Sequence, residues 1–337
     1  MKHSLLRAGV AALAVTVLAG CSSTSDDTDT GTPSGDGHFP VTIENTFGST
    51  TIESQPERLV TMGWNAQDVL YALDLKPVGQ PKYVYGADAN GVMPWAQPYF
   101  DADTTTLFED PQAGEPSVES IAALAPDVIL APYEGFDEAY YKQLTELAPT
   151  VAYPGGAWQT TWQDQTTLIG QAVGKPDEAR ALIDGLGTTL ADTAAAHPEF
   201  AGKTLTVVNL DTSTGQANVY LPTDPRVQVL TELGFVNAPG VEALAADNEA
   251  GTFYKSLSLE NLREIDADVV VAFGVAGAND MASNPALAQL SAVGRNSAVV
   301  LTDEQVIAAL SNVNVLSIPW VLPTIVPELS RAAANAK

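Results

Sequence analysis

Residues 117–131, SVESIAALAPDVILA, recur without gaps as residues 258–272, SLENLREIDADVVVA, and this echo decides the architecture. Five of the fifteen positions are identical, and the large apolar positions agree throughout. Each copy opens on a serine suited to cap a helix, carries a glutamate two residues later, and ends on an aspartate followed by a short apolar run. A run of that kind, without polar alternation, is what a strand covered on both faces requires. A second echo pairs Val69-Leu70 and Leu73 with Val229-Leu230 and Leu233, again just after a strand and in the same order. The chain reads as two related α/β lobes.

Outward from the repeats, residues 41–44 and 50–53 flank Asn45-Thr46-Phe47-Gly48 as a small hairpin. Further strands are predicted at 59–62, 128–130, 204–210, 269–273 and 298–301, with helices at 67–73 and 140–147. Strand–helix alternation favours parallel sheets covered by helices. Between the lobes, residues 176–200 place Ala179, Leu182, Ile183, Leu186 and Leu190 on one helical face, from Pro176 to His197-Pro198. One helix about 30 Å long fits this stretch. Gly185 and Gly187 weaken it by ~1 kcal/mol each relative to alanine. The expected division is an N-terminal lobe over 39–175, a linking helix over 176–200 and a C-terminal lobe over 201–337.

The first residues are of another kind. Lys2 and Arg7 precede an apolar run over 8–19, too short for the ~20 residues that span a bilayer and suited to a secretory signal. Leu18-Ala19-Gly20-Cys21 looks like a bacterial lipobox, which makes residues 1–20 a signal peptide and Cys21 an acylated anchor. Residues 22–37, SSTSDDTDTGTPSGDG, hold no large apolar side chain and read as a flexible tether of roughly 20–25 Å, extending to about residue 38. The expected location is extracytoplasmic, lipid-anchored to the cell membrane.

Composition narrows function. The 337 residues are 45% hydrophobic and 17% charged, as folded proteins are. Acids number 41 against 15 Lys and Arg, for a formal charge of −26, which argues against nucleic acid and against charge-driven adhesion to an anionic membrane. The single cysteine removes disulfide frameworks and Cys-cluster metal sites. No Gly-x-Ser-x-Gly elbow, Walker A loop or His-Glu-x-x-His is present, and only His38 and His197 remain once the signal is removed. Without a histidine base a serine triad has nothing to work with, so the chain is not read as an enzyme. A binder of bare zinc or manganese would want imidazole or thiolate ligands that the body does not have to spare; an all-carboxylate site stays open with 41 acids, whose scatter better fits a solvated surface.

Four stretches carry a resemblance: PERLVTMGW (56–64), ALDLKPVG (72–79), SIAALAPDVIL (120–130) and LAPTV (147–151). In this order and spacing, behind a lipobox, the chain is similar to the solute-binding lipoproteins of bacterial ABC importers for ferric siderophores, a group that includes vitamin B12 and ferrichrome binders. The resemblance implies two Rossmann-like lobes with mainly parallel sheets joined by one long α-helix, the class III periplasmic-binding-protein-like fold. It implies a monomer that captures a ferric siderophore and delivers it to an ABC permease and its ATPase subunits, with no cofactor of its own and no directly bound metal. One glutamate per lobe docks on permease arginines in that family, and by position these are Glu119 and Glu260.

Ligands of two-lobed α/β proteins sit beyond the carboxyl ends of the strands. Trp64, Tyr133 and Trp158 follow strands of the first lobe, and Tyr83, Tyr85 and Trp95 lie in a Gly/Pro-punctuated loop. The second lobe offers Tyr220, Phe253 and Tyr254, with Arg226 the best-placed cation, although an ion pair with Asp224 or Glu232 explains it equally well. The candidate ligand contacts are Trp64, Tyr85, Trp95, Tyr133, Trp158, Tyr220, Arg226 and Tyr254. A cation-poor, aromatic lining favours a nearly neutral ferric hydroxamate over an anionic tris-catecholate. Ferrichrome-type members carry an arginine just before the first repeat, where this chain reads Pro111-Gln112-Ala113-Gly114. Haem, with Tyr133 or Tyr220 as axial ligand, or cobalamin is the alternative cargo on the same fold.

Overall fold

The computed structural model describes residues 38–109, 114–248 and 251–336. Cys21, the tether and Pro111-Gln112-Ala113 lie outside the described residues.

A hairpin, β1 (Val41–Asn45) and β2 (Gly48–Ile52), leads into the first lobe. There β3 (Leu59–Thr61), β4 (Gly79–Pro81), β5 (Thr106–Phe108), β6 (Val128–Ala131) and β7 (Thr150–Ala152) form a parallel sheet ordered β5-β4-β3-β6-β7. The second lobe holds β8 (Thr204–Asp211), β9 (Gln216–Tyr220), β10 (Val236–Asn237), β11 (Tyr254–Ser258), β12 (Val269–Phe273) and β13 (Ala298–Val300). Its order is β11-β9-β8-β12-β13, with β10 parallel to the start of β8. The β3-β6-β7 and β8-β12-β13 runs are parallel and equivalent. The second sheet adds antiparallel β9 and β11, which the sequence reading did not mark. The Asp211 carboxylate shapes the turn between β8 and β9 by accepting the amides of Ser213 and Thr214.

The repeat is physical as well as formal. Asp127 Oδ2 accepts the amides of Glu57 and Arg58 at 2.8 and 2.9 Å, pinning the chain just ahead of β3. Its echo Asp268 accepts the amide of Thr204 at 2.9 Å, pinning the start of β8. Leu59 then pairs with Val128 and Leu205 with Val269, so the two aspartates set the same register in both lobes. Serines 117 and 258 both cap: Ser117 Oγ accepts from the Ser120 amide and Ser258 Oγ from the Glu260 amide. The first capped segment is a short α-helix, Val118–Ala122; the second, Leu259–Ile265, winds as a 3₁₀-helix.

Side chains alternate between the faces of each strand. Val128 and Leu130 point to one face and Ile129 and Ala131 to the other; Val269 and Val271, and Val270 and Ala272, repeat this. One face of each sheet is covered by a cluster private to its lobe. The opposite faces share a single apolar cluster that also takes in Leu186, Leu190, Ile318 and Leu329. The linking helix spans Pro176–Ala196 without interruption at Gly185 or Gly187. It stops before residue 200 because His197 leaves helical geometry ahead of Pro198, and Pro198–Phe200 is a separate 3₁₀ turn.

One charged group sits in the shared core. Asp68 is fully buried, and its Oδ2 accepts from Trp95 Nε1 and from Asn314 Nδ2, each at 2.7 Å, while Gln67 Nε2 donates to Oδ1 at 3.2 Å. The clasp ties the first helix of the N-terminal lobe to the turn before the C-terminal helix, Ser317–Asn335. Trp95, expected at the ligand, is spent here. It is only 4% exposed, its indole N–H is committed to Asp68, and its ring packs on Trp320 at 5.6 Å.

Burial pushes the Asp68 carboxyl from 3.8 up to about 7 despite those donors. The folded pKa lies above the unfolded one. Its stabilising contribution is therefore complete below pH 3.8 and is lost as pH rises through about 7. Wild type should lose stability relative to Asp68→Asn between pH 5 and pH 8 in urea titrations, because asparagine accepts the same two donors at one oxygen and does not titrate. Asp68→Ala should cost about 1–3 kcal/mol per orphaned donor at either pH.

Candidate functional site

Between the lobes lies a cleft with a cavity volume of ≈ 630 Å³, within the range of roughly 300–1,000 Å³ that takes a small molecule. The first lobe contributes Trp64, Tyr85, Tyr133, Glu134 and Trp158. The second contributes Asn209, Tyr220, Arg226, Phe253, Tyr254, Phe273 and Gly274, together with Ile307, Ala308, Ser311 and Asn312 around the end of the helix Glu304–Ser311. Seven of the eight side chains proposed as ligand contacts line this cavity, and Trp95 does not.

Strand ends deliver the aromatics. Trp64 follows β3 and Tyr133 follows β6, while Tyr220 ends β9 and sits directly across from Tyr254, the first residue of β11. Tyr83, named with the loop aromatics, is buried behind the wall: its hydroxyl donates to Gly63 O and its ring stacks on Trp64 at 6.0 Å. Tyr220 stacks on Phe273 at 5.8 Å and on Phe253 at 6.4 Å, and Phe253 meets Trp158 edge-on at 6.1 Å across the lobes. Next to that contact Gln159 Nε2 donates to Gly251 O at 2.7 Å. On the other flank Gly86 packs so closely on Ala308 that an added Cβ would lie 2.4 Å from the alanine methyl.

Trp158 is held under constraint. Its φ is +54°, a left-handed conformation that costs a bulky residue energy and collects at functional sites. Its amide donates to Glu134 O at 3.1 Å, and its ring lies on Gly135, where a Cβ would come within 2.2 Å of Cη2. The polar ends of the aromatics divide in two. Buried Tyr71, Tyr140, Tyr153, Trp95 and Trp162 each donate to a protein acceptor. Among the described residues Trp64, Tyr85, Tyr133, Trp158 and Tyr254 have no such acceptor, although all five line the cavity. Those hydroxyls and indole N–H groups are available to a ligand.

Arg226 is paired rather than free. Its guanidinium lies 3.6 Å above the Tyr220 ring, and Nε and Nη2 donate to the two Asp224 oxygens at 2.8 and 2.7 Å. Asp224 is fully buried and also caps the helix Pro225–Glu232. Glu232, the other acid considered, accepts from Trp162 and Gln163 instead. Burial and the Asp224 charge raise the Tyr133 hydroxyl above its ordinary pKa, which keeps it a neutral phenol. Glu134, which the sequence reading missed, is the acid of the wall. Its placement at the carboxyl end of β6, beside Tyr133, was the available signal. Ile307 to Asn312 gave none, since they reach the cleft only through the packing of the C-terminal lobe.

Among the described residues no three His, Cys, Asp or Glu side chains converge on a metal position. Glu119 and Glu260, each in the first turn after its capping serine, are solvent-exposed.

The profile of the family described as "Periplasmic binding protein" matches residues 59–306. The "Probable siderophore-binding lipoprotein YfiY" of Bacillus subtilis is 29% identical over 81% of this chain and 80% of its own length. The "Ferric enterobactin-binding periplasmic protein FepB" of Escherichia coli is 27% identical over 79% of this chain and 85% of its own. Among solved structures, Streptococcus pneumoniae PiaA in complex with ferrichrome superposes with a TM-score of 0.80 at 29% identity, covering 88% of this chain and all of that one.

The Trp158–Gly135 contact makes a stability prediction. Gly135→Ala should cost about 1–3 kcal/mol in urea unfolding through overpacking. Adding Trp158→Ala should return most of that loss. A single variant as stable as wild type, or a double variant no better than the single, would contradict the packing.

Proposed function

The chain belongs to the periplasmic binding protein family, and from that membership we propose that it is the substrate-binding component of an ABC importer whose cleft captures a ferric siderophore of the hydroxamate class. The observation that carries this reading is the state of the charges: an aromatic cleft of ≈ 630 Å³ whose arginine is already neutralised by a bidentate bond to a buried aspartate. A tris-catecholate chelate, with its high negative charge, needs several unpaired Lys or Arg, and the lining offers Arg226 alone. A nearly neutral tris-hydroxamate needs shape, stacking and a few hydrogen bonds, which the open indole and phenol groups supply. Sequence identity does not choose between chelates, since YfiY and enterobactin-binding FepB lie within two percentage points of each other. The ferrichrome-bound fold of PiaA agrees with the hydroxamate reading.

Glu119 and Glu260 carry the delivery step in this proposal. Both are exposed and occupy equivalent places in the two repeats, so they offer a permease one carboxylate per lobe. Close interfacial charge pairs of this type are worth roughly 1.5–7 kcal/mol. Among the described residues no helix is long and apolar enough to cross a membrane, and anchoring is assigned to acylation of Cys21.

Tryptophan-quenching titrations should show a ferric tris-hydroxamate such as ferrichrome binding about tenfold or more tighter than ferric enterobactin; the reverse order overturns the class assignment. A chelate at a hundred times its Kd should add ~2.7 kcal/mol to the unfolding free energy. The double variant Glu119→Ala, Glu260→Ala should abolish chelate-dependent iron uptake while leaving its Kd unchanged, and a weakened Kd would remove the docking role.

A further inference from the structure

The cleft carries one charge that the hydroxamate reading leaves unexplained. Glu134 is 9% exposed and lines the cavity beside Tyr133. Its Oε2 accepts the amide of the next residue, Gly135, at 2.8 Å, and among the described residues no Lys, Arg or His pairs with it. The other charged side chain of the wall, Arg226, is bound to Asp224, so the three together carry one net negative charge once Glu134 ionises. A wall needed only for packing would gain nothing from a buried carboxylate without a cation, because desolvation penalises it.

The groups around Glu134 do not relieve it. Gly63 and Trp158 approach it without charge, and Glu115 repels it. The Tyr140 and Tyr153 phenols feel its charge but hydrogen-bond to Pro116 O and Phe136 O. Burial first, then Glu115, push its carboxyl from 4.5 up to about 7. The site is a buried acid ready to ionise when a cation arrives.

Building on the hydroxamate assignment, we propose that Glu134 is a specificity-determining residue that receives an ammonium group, so that the preferred cargo is a ferric tris-hydroxamate bearing a primary amine. The amine places its charge against Glu134 while the neutral iron centre occupies the aromatic walls. Because the free carboxyl is partly protonated near neutrality, an ammonium ligand displaces that proton on binding, and a neutral ligand does not.

The test compares ferrioxamine B, a linear trihydroxamate ending in an ammonium, with its N-acetyl derivative, which has the same iron centre and no charge. On the full-length protein at pH 8, ferrioxamine B should bind about tenfold or more tightly than the acetylated form. Glu134→Gln should bring the ratio to about one by weakening only the charged ligand. The wild-type ratio should shrink as pH falls through about 7, and calorimetry in buffers of different ionisation enthalpy near pH 7 should show proton release for ferrioxamine B alone. Equal affinities in wild type, or a preference that survives Glu134→Gln, overturns the ammonium site and leaves the hydroxamate class standing. If neither chelate binds, the hydroxamate class itself falls, and this inference with it.

Discussion

Both sheets turn one face into the same apolar cluster, and the geometry of the molecule follows from that constraint. Burying a Val, Leu or Ile side chain is worth about 1.5–3 kcal/mol, so parting the lobes would expose many such groups at once. The linking helix lends Leu186 and Leu190 to this cluster and the C-terminal helix lends Ile318 and Leu329. Packing therefore sets the separation of the lobes, and the width of the cleft comes with it. Asp68 makes the arrangement specific. A purely apolar interface tolerates small slips, whereas a buried carboxylate that accepts from Trp95 on one side and Asn314 on the other is satisfied in one register.

The cleft gains selectivity from what it withholds. Arg226 is positioned to meet an anion, yet its two best donors are turned to Asp224, and its face is stacked on Tyr220. The guanidinium then acts mainly as a flat, polarisable wall. Rigid rings contribute most of the remaining surface, and ordering them costs a ligand little because Trp64 is backed by Tyr83, and Tyr220 by Phe273.

The sequence was most legible where the same task is done twice. The repeat foretold paired lobes because Asp127 and Asp268 each do one equivalent task, bonding the amide at the start of the neighbouring strand. Aromatics just after strands reached the cleft because a parallel sheet sends its strand ends to one edge. Long-range needs were invisible. Trp95 shares its loop with Tyr85, and only the buried Asp68, 27 residues away, decides that one ring turns inward and the other faces the cavity. The β9–β11 pairing was hidden because its strands are separated by two helices and β10. Glu134 was overlooked since a single acid after a strand looks like solvated surface until the fold closes over it.

A shared core also limits how such a cleft can respond to cargo. Among the described residues the contacts that cross the lobes on the Trp158 side of the rim are local: Trp158 against Phe253, and Gln159 to Gly251 O. Trp158 is already in a left-handed backbone conformation, stabilised from outside by Gly135 and Glu134 O. Movement of this rim exchanges one ring contact and one hydrogen bond, while movement of whole lobes must disrupt the common core. The cheaper path is the rim, and a nearly preformed cleft binds without the large ordering cost of hinge closure. Release is then the harder step. Since the lobes do not spring apart unaided, the force that opens the rim has to be applied from outside, at points rigidly fixed to each lobe. An exposed carboxylate in the first turn after each capping serine gives each lobe one such point in the proposed docking.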